Sequence, residues 1–471
     1  MTDCLTEHLA PHSQEPCSQG RRRAVQDGHA RPEEQPDLPP RRAGASVRGL
    51  RPGPRLQAAS VVRLPPCLHS AVSSHEDSTL TTPSFFYITG VNFADCAVTY
   101  EIQRDRLILW IPYIEPRKVL YFGDVPDAAT ALGLYDVDDV RYTNDLPRFL
   151  AAHLGPSATL FALHRSQTPR YLFADERSRL GDAAAAISDS DDVLFPPERK
   201  PGAIDVVSLK PAMDRARVVK DEYEIALIRR ANDISSAAHR HVARQLLRLS
   251  NEQDIEALLV ASCTARGAHS QAYHIIAGAG ANASTLHYDA NDQPLAGKEL
   301  VVIDAGCEYN LYASDITRTL PVSGSYSAEG AAIYAIVERM QEECIAGVTP
   351  GRRFRELHVH AGLVAARGLH AIGLLKGDLA EVEASGVAGA FFPHGLGHHV
   401  GLEVHDVSGD QRLMSSFGGV VARLEGGKRE MVTPAELAEM TRQERIAATA
   451  EEPVKHQHLQ PGMIVTVEPG M

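Results

Sequence analysis

The chain has 471 residues, 44% of them hydrophobic and 23% charged, enough for two or three domains with at least one large core. Its 47 basic and 60 acidic residues leave a net charge of −13, which argues against a nucleic-acid or anionic-membrane partner. No apolar run approaches the roughly 20 residues that cross a bilayer. The seven cysteines (Cys4, Cys17, Cys67, Cys96, Cys263, Cys307, Cys344) are odd in number and scattered, with no CxxC pair. That pattern suits free thiols in a reducing compartment. The opening residues carry neither a basic n-region nor an apolar h-region, so a cytoplasmic protein is expected.

Residues 1–83 are dominated by Arg, Pro, Ser, Gln and Gly and show no sustained period. Such a segment buries too little apolar surface to offset the entropy of ordering, and it is expected to be a disordered, low-complexity tail. At Ser84 the texture changes. The runs "FFYITG" (85–90), "CAVTYEI" (96–102) and "LILWIPYI" (107–114) read as strands. "PDAATALGLYDVDDVRYT" and "LPRFLAAHLG" then read as helix, short strand and helix. The alternation predicts a small α/β domain, which a linker rich in Asp, Ser and Pro (188–203) closes.

Residues 204–471 form the second domain. Apolar positions at helical spacing predict a long amphipathic helix over 220–247. "AYHIIAGAGANASTLHY" and "ELVVIDAGCEYNLYASDITRTLPVSG" look like antiparallel strands, and two more helices are expected near 327–346 and 353–368. From about 410 to 459 the pattern is charged and reads as mostly helical, with Thr433-Pro434-Ala435-Glu436 offering a cap. We expect a solvated helical insertion there. The final apolar run, "IVTVEPGM", delivers Glu468 to its end.

Chemistry concentrates in three places. Asp304 ends the apolar run "LVVID", where a carboxylate is costly unless paired or bound to a metal. Asp315 follows eleven residues later, and a hairpin of that length sets the two side by side on neighbouring strands. "PHGLGHHVGLEVHD" adds His394, His398, His399 and His405, threaded by glycines that permit close approach. Two aspartates, a histidine and Glu468 make an oxygen-rich set with one nitrogen, suited to Mn, Co or Zn. Carboxylates able to bridge two ions point to a metal-dependent hydrolase that activates water.

The motifs "VVIDAGCEYNLYASDITRTLPVSG", "PHGLGHHVGLEVHDVSG" and "LQPGMIVTVEPG" resemble the aminopeptidase P and prolidase family. "FFYITGVNFADCAVTYEI" and "LILWIPYIEP" resemble the N-terminal domain of these enzymes, notably the fungal Xaa-Pro aminopeptidases. The resemblance implies an α/β (α+β) chain whose small N-terminal domain precedes a pita-bread catalytic domain. It implies Asp304, Asp315, His398 and Glu468 as ligands of two divalent ions, Mn(2+) foremost, with Asp315 bridging and Glu468 also the general base. His394 and His405 would line the substrate site and steady the tetrahedral intermediate, and His287 of "STLHY" would bind substrate. His399 has no such counterpart and is taken as structural.

The implied activity is removal of the residue preceding a penultimate proline, with proline-containing peptides as partners and a homodimer allowed. The alternatives are an Xaa-Pro dipeptidase (prolidase) and an inactive pita-bread binding protein. The last arises because the family pattern has a further glutamate ligand beyond the "EPG" turn. Nothing follows Met471, so a C-terminally truncated chain is the expectation.

Overall fold

Strand β3 (Arg106–Ile111) explains the N-terminal half, because it is buried on both faces. Its odd residues Leu107, Leu109 and Ile111 enter one apolar cluster. Its even residues Ile108 and Trp110 enter another, with Leu146, Phe149 and Leu150. The strand period of two thus serves two cores, as a sheet covered on both sides requires. The computed structural model describes residues 58–63, 83–123, 125–155, 157–164, 203–409, 413, 422–425, 428–431 and 457–471, with 58–63, 122, 422–425 and 428–431 given by backbone alone.

Around β3 lie β1 (Ala58–Arg63), β2 (Ala97–Glu101), β4 (Asp139–Tyr142), β5 (Thr159–Phe161) and β6 (Ala203–Asp205), in the sheet order β4-β3-β2-β1-β5-β6. The pairs β1–β2 and β2–β3 are antiparallel, whereas β3–β4, β1–β5 and β5–β6 are parallel. Helices α1 (Pro83–Thr89), α2 (Pro116–Phe122), α3 (Ala128–Leu134) and α4 (Leu146–His153) complete this part.

Two expectations are corrected here. Ala58–Arg63 is a central strand although it lies inside the segment read as a disordered tail. Its "ASVV" core is strand-forming, but Arg- and Pro-rich flanks dilute the local signal. "FFYITG" is helical over Pro83–Thr89, with Phe85 through Thr89 all buried. A short helix without a polar face shows no period, so an apolar run of this length reads equally as a strand.

The second part starts with α5 (Leu209–Val218), α6 (Glu222–Gln245) and α7 (Glu252–Thr264). Reciprocal capping boxes, Asp221 with Glu224 and Asn251 with Asp254, start α6 and α7. Leu227, Ile228, Ala231, Ile234, Ala238 and Val242 form the buried stripe of α6, at the spacing its sequence predicts. Next come β7 (Ser270–Gln271), β8 (Ile276–Ala279), β9 (Leu300–Asp304), β10 (Cys307–Tyr309), β11 (Tyr312–Ala313) and β12 (Thr317–Pro321). They build two three-stranded sheets, β12-β9-β8 and β11-β10-β7.

Helices α8 (Ala328–Ala346), α9 (Phe354–Ala371) and α10 (Leu379–Ser385) follow. Met340, Cys344, Phe354, Leu357 and Leu396 share a core against which Val465 and Val467 pack. In the stretch expected to be a helical insertion, the described backbone is a hairpin, β13 (Ala422–Glu425) with β14 (Lys428–Met431). Gly426-Gly427 between them is a hairpin signal that the charged composition masks. Thr433–Glu436 lie outside the described residues. No helix among the described residues is long and apolar enough to cross a membrane.

Candidate metal centre

The register of β9 places Asp304 opposite Thr317 of β12 and Ile276 of β8. Asp315 stands just before β12, on the chain returning from the β10–β11 hairpin, as the spacing of the two aspartates predicts. The chain reverses tightly there: a Cβ on Gly306 would meet the Ser314 carbonyl oxygen at 1.8 Å, so only glycine fits. One hydroxyl ties the two acids together. Tyr273 Oη lies 2.5 Å from Asp304 Oδ1 and 2.8 Å from Asp315 Oδ1.

The other two side chains come from a second pair of extended segments. Residues 396–400 and 464–468 run antiparallel, joined by Val400 N to Ile464 O (3.1 Å), Thr466 N to His398 O (2.9 Å) and Glu468 N to Leu396 O (2.8 Å). Ile464 through Val467 are half-buried. This pairing brings His398 to Glu468: Nε2 lies 3.0 Å from Glu468 Oε1 and 3.2 Å from Asp315 Oδ2. Thr466 Oγ1 accepts from the His398 amide at 2.9 Å and donates to Glu468 Oε1 at 2.6 Å.

The ring of His398 is oriented by its far nitrogen. Nδ1 lies 3.0 Å from the His399 carbonyl oxygen, which accepts only, so Nδ1 carries the proton of a neutral ring. Nε2 then presents a lone pair toward two carboxylates. It is buried, and neither carboxylate contact has hydrogen-bond alignment. A nitrogen lone pair and carboxylate oxygens from Asp315, His398 and Glu468, all within 4.8 Å of one another, fit a divalent cation. Asp304 stands outside this tight group and joins it through Tyr273.

The electrostatics agree. Burial pushes the Asp304 carboxyl up to about 6; the Tyr273 hydroxyl opposes this and the Asp315 charge adds to it. Burial also works against ionised Asp315, but His398 and Tyr273 outweigh it and hold the carboxyl below its usual range. For His398 burial opposes the charged ring, yet Asp315 and Glu468 raise it to about 10. Without a cation, a proton is the charge these acids gather.

The remaining histidines surround this group. The ring of His405 lies 3.8 Å from that of His398, and burial together with the His398 charge lowers its proton affinity. His394 bonds the Gly395 carbonyl oxygen through Nδ1 (2.9 Å) and packs edge-on against Phe392 (4.8 Å). A Cβ on Gly470 would stand 3.0 Å from its Nε2, so His394 faces the "EPG" turn. His287 is exposed on the loop after β8. His399 is buried, with Nε2 2.6 Å from Gln457 Oε1, as a structural residue would be.

Sequence reasoning missed Tyr273 and Thr466. Both sit on segments already singled out, Tyr273 in "AYHIIAG" before β8 and Thr466 two residues before Glu468. A hydroxyl two residues from an acid on an extended chain shares its face, and that was the available signal.

Residues 226–471 match metallopeptidase family M24, and residues 81–161 match the aminopeptidase P N-terminal domain. A probable Xaa-Pro aminopeptidase of Colletotrichum graminicola is 54% identical over 397 residues, covering 82% of this chain and 70% of that protein. One from Metarhizium acridum is 54% identical over 391 residues, covering 82% and 72%. Among solved structures, zinc-substituted Escherichia coli aminopeptidase P in complex with product is 25% identical with a TM-score of 0.68, over 91% of this chain and 86% of that one. Pseudomonas aeruginosa aminopeptidase PepP, also 25% identical, gives 0.67 over 91% and 85%. The chain therefore belongs to metallopeptidase family M24, with the aminopeptidase P type of N-terminal domain and the pita-bread fold.

Proposed function

We propose that the chain is a two-metal Xaa-Pro aminopeptidase, with Asp304, Asp315, His398 and Glu468 as ligands and manganese as the native ion. The carrying observation is the convergence of Asp315, His398 and Glu468 within 4.8 Å, with Asp304 tied to Asp315 by one tyrosine hydroxyl. Bound divalent ions would supply a Lewis acid for the scissile carbonyl and lower the pKa of the attacking water.

The chain's own residues do the rest. Glu468 is half-buried, and Thr466 fixes its Oε1. That leaves a positioned carboxylate to take the proton of the attacking water and pass it to the departing proline nitrogen. His405 and His394 stand beside the acid group, where their imidazoles donate to the carbonyl oxygen as it gains charge. His287, on its exposed loop, meets the peptide. Proline offers no backbone N–H to grip, so recognition falls on side chains such as these. The free thiols of Cys96, Cys263, Cys307 and Cys344 support a reducing, cytoplasmic setting.

The test uses the purified chain, elemental analysis and two substrates. Manganese-dependent release of the first residue from X-Pro-Y tripeptides, with two ions per chain, is the expected result. Cleavage confined to X-Pro dipeptides would move the assignment to a prolidase. A metal-loaded chain that cleaves neither would leave a binding protein.

A further inference from the structure

From the last turn of α5 toward the start of α6 runs a four-residue segment, Arg217 to Lys220, whose two cations are buried. Both reach Asp406, itself buried. Arg217 Nη2 lies 2.6 Å from Asp406 Oδ1 and Lys220 Nζ lies 2.8 Å from Oδ2. Arg217 Nη2 also meets Glu403 Oε2 at 2.6 Å. An acid and two bases withdrawn from water are costly, and breaking such a group leaves a charge stranded. Asp406 lies eight residues beyond His398, and nothing so far described gives it a role.

Its backbone supplies one. The Asp406 amide donates to the His399 carbonyl oxygen at 2.9 Å. That same oxygen accepts from His398 Nδ1 at 3.0 Å. Asp406 thus closes the 399–406 loop and holds the acceptor that fixes the proton and the tilt of the His398 ring. The fit is close enough to exclude a side chain at 401, where a Cβ would strike Asp406 Oδ2 at 2.2 Å and Lys220 Cε at 3.0 Å. Lys220 grips the other ligand-bearing segment as well, because its amide donates to Gly462 O (2.9 Å) at the turn that leads into 464–468. On the far side, Tyr87 Oη of α1 donates to the carbonyl oxygen of Ala216, next to Arg217, at 2.9 Å.

We propose that Asp406, clamped by Arg217 and Lys220, is a positioning residue: through the His399 carbonyl it sets the His398 ring and so the metal affinity, and the clamp connects the N-terminal domain to the metal centre. Partners of metal-binding histidines at the second nitrogen are worth about 10–100-fold in metal affinity. Here the partner is a backbone oxygen, and a buried ionic group holds it in place. This inference rests on the reading of His398 as a ligand.

The test measures zinc affinity by isothermal titration calorimetry on the full chain, as wild type, His398→Ala, Asp406→Asn and the charge-balanced double variant Lys220→Met/Asp406→Asn. Circular dichroism reports folding. ¹⁵N-histidine spectra of the zinc-loaded chain report the His398 Nδ1 proton and its exchange with water. Expected are a roughly 10–100-fold loss of zinc affinity in a folded Asp406 variant and a His398 Nδ1 proton that exchanges faster than in wild type. Where Asp406→Asn does not fold, the double variant decides by the same two readouts. A folded Asp406 variant that binds zinc within about twofold of wild type, while His398→Ala loses it, overturns the positioning role and leaves the ligand reading standing. Unchanged affinity in His398→Ala removes the ligand reading, and the inference with it.

Discussion

Gly397 lies against Thr466 so closely that a Cβ at 397 would stand 2.3 Å from the Thr466 carbonyl oxygen and 2.7 Å from its hydroxyl. The obstacle is backbone, which cannot swing aside as a long side chain would. The contact also sits within the pairing that sets His398 beside Glu468. Gly397→Ala is therefore expected to push 396–400 and 464–468 apart at the proposed cation site. Overpacking of this kind costs about 1–3 kcal/mol in stability. Activity should suffer more, because about 1 Å of misplacement costs on the order of 100-fold. Thermal melts and peptide hydrolysis on the same preparation check both. Loss of activity should exceed what the fall in melting temperature explains.

Tyr273 gives the next expectation. Its hydroxyl lies within hydrogen-bonding distance of both Asp304 and Asp315, at 2.5 and 2.8 Å. Tyr273→Phe keeps the ring and removes that donor, so the fold should persist. Asp304, already pushed up to about 6 by burial, loses a contact that favours its ionised form. It should hold its proton more tightly, and its affinity for a cation should fall about 10–100-fold, as for other partners of ligands. Manganese titrations near pH 6 and pH 8 test this. The deficit should be larger at the lower pH.

With His398 as the proposed ligand, a proton and the metal would compete for its Nε2. In the metal-free chain its imidazole is raised to about 10 from an ordinary 6.5. The folded state then binds the extra proton between those values and the unfolded state does not, so stability falls as pH rises through that window. The contribution is complete below about pH 6.5 and gone above about pH 10. Calorimetric melts in chelator should show this decline. Saturating manganese should reverse it, since metal replaces the proton on Nε2 and binds better as pH rises. At 100 times its dissociation constant the ion adds about 2.7 kcal/mol.

Much of this centre was legible in the sequence because its parts sit on short, rigid, strongly patterned pieces. "LVVID" had to be a buried strand, and the return to Asp315 was short enough to fix its neighbour. The glycines of "PHGLGHHVGLEVHD" announced close approach, which Gly397 and Gly401 display. What escaped was set by distant chain. Asp406 reads as a surface acid until Arg217 and Lys220 arrive, 189 residues away in the case of Arg217. Ala58–Arg63 reads as part of a tail because its worth as a strand comes from β2 and β5, not from its neighbours in sequence. The α1 helix escaped because burial on every side erases the period that distinguishes a helix from a strand.

Glu252 gives a prediction about the rim rather than the centre. It is fully buried at the start of α7 and accepts from the Ala279 amide (2.7 Å), Asn282 Nδ2 (3.0 Å), Tyr288 Oη (2.8 Å) and the Gln293 amide (3.0 Å). These donors bracket the loop that carries His287, so one carboxylate organises the loop from beneath. Glu252→Ala strands four donors and should cost at least about 3 kcal/mol, since each buried unpaired group costs about 1–3. Glu252→Gln is the sharper probe. Its single carbonyl can serve one side, but its amide group turns a donor toward donors on the other. The Tyr288 hydroxyl can reverse its role and Asn282 can flip its carboxamide, but the Ala279 and Gln293 backbone amides only donate. The Gln variant should therefore keep α7 and β8 in place and loosen 282–293, raising KM for X-Pro peptides severalfold while kcat changes little. An equal loss in kcat would place the loop's influence on the reacting atoms, because KM effects alone report ground-state binding.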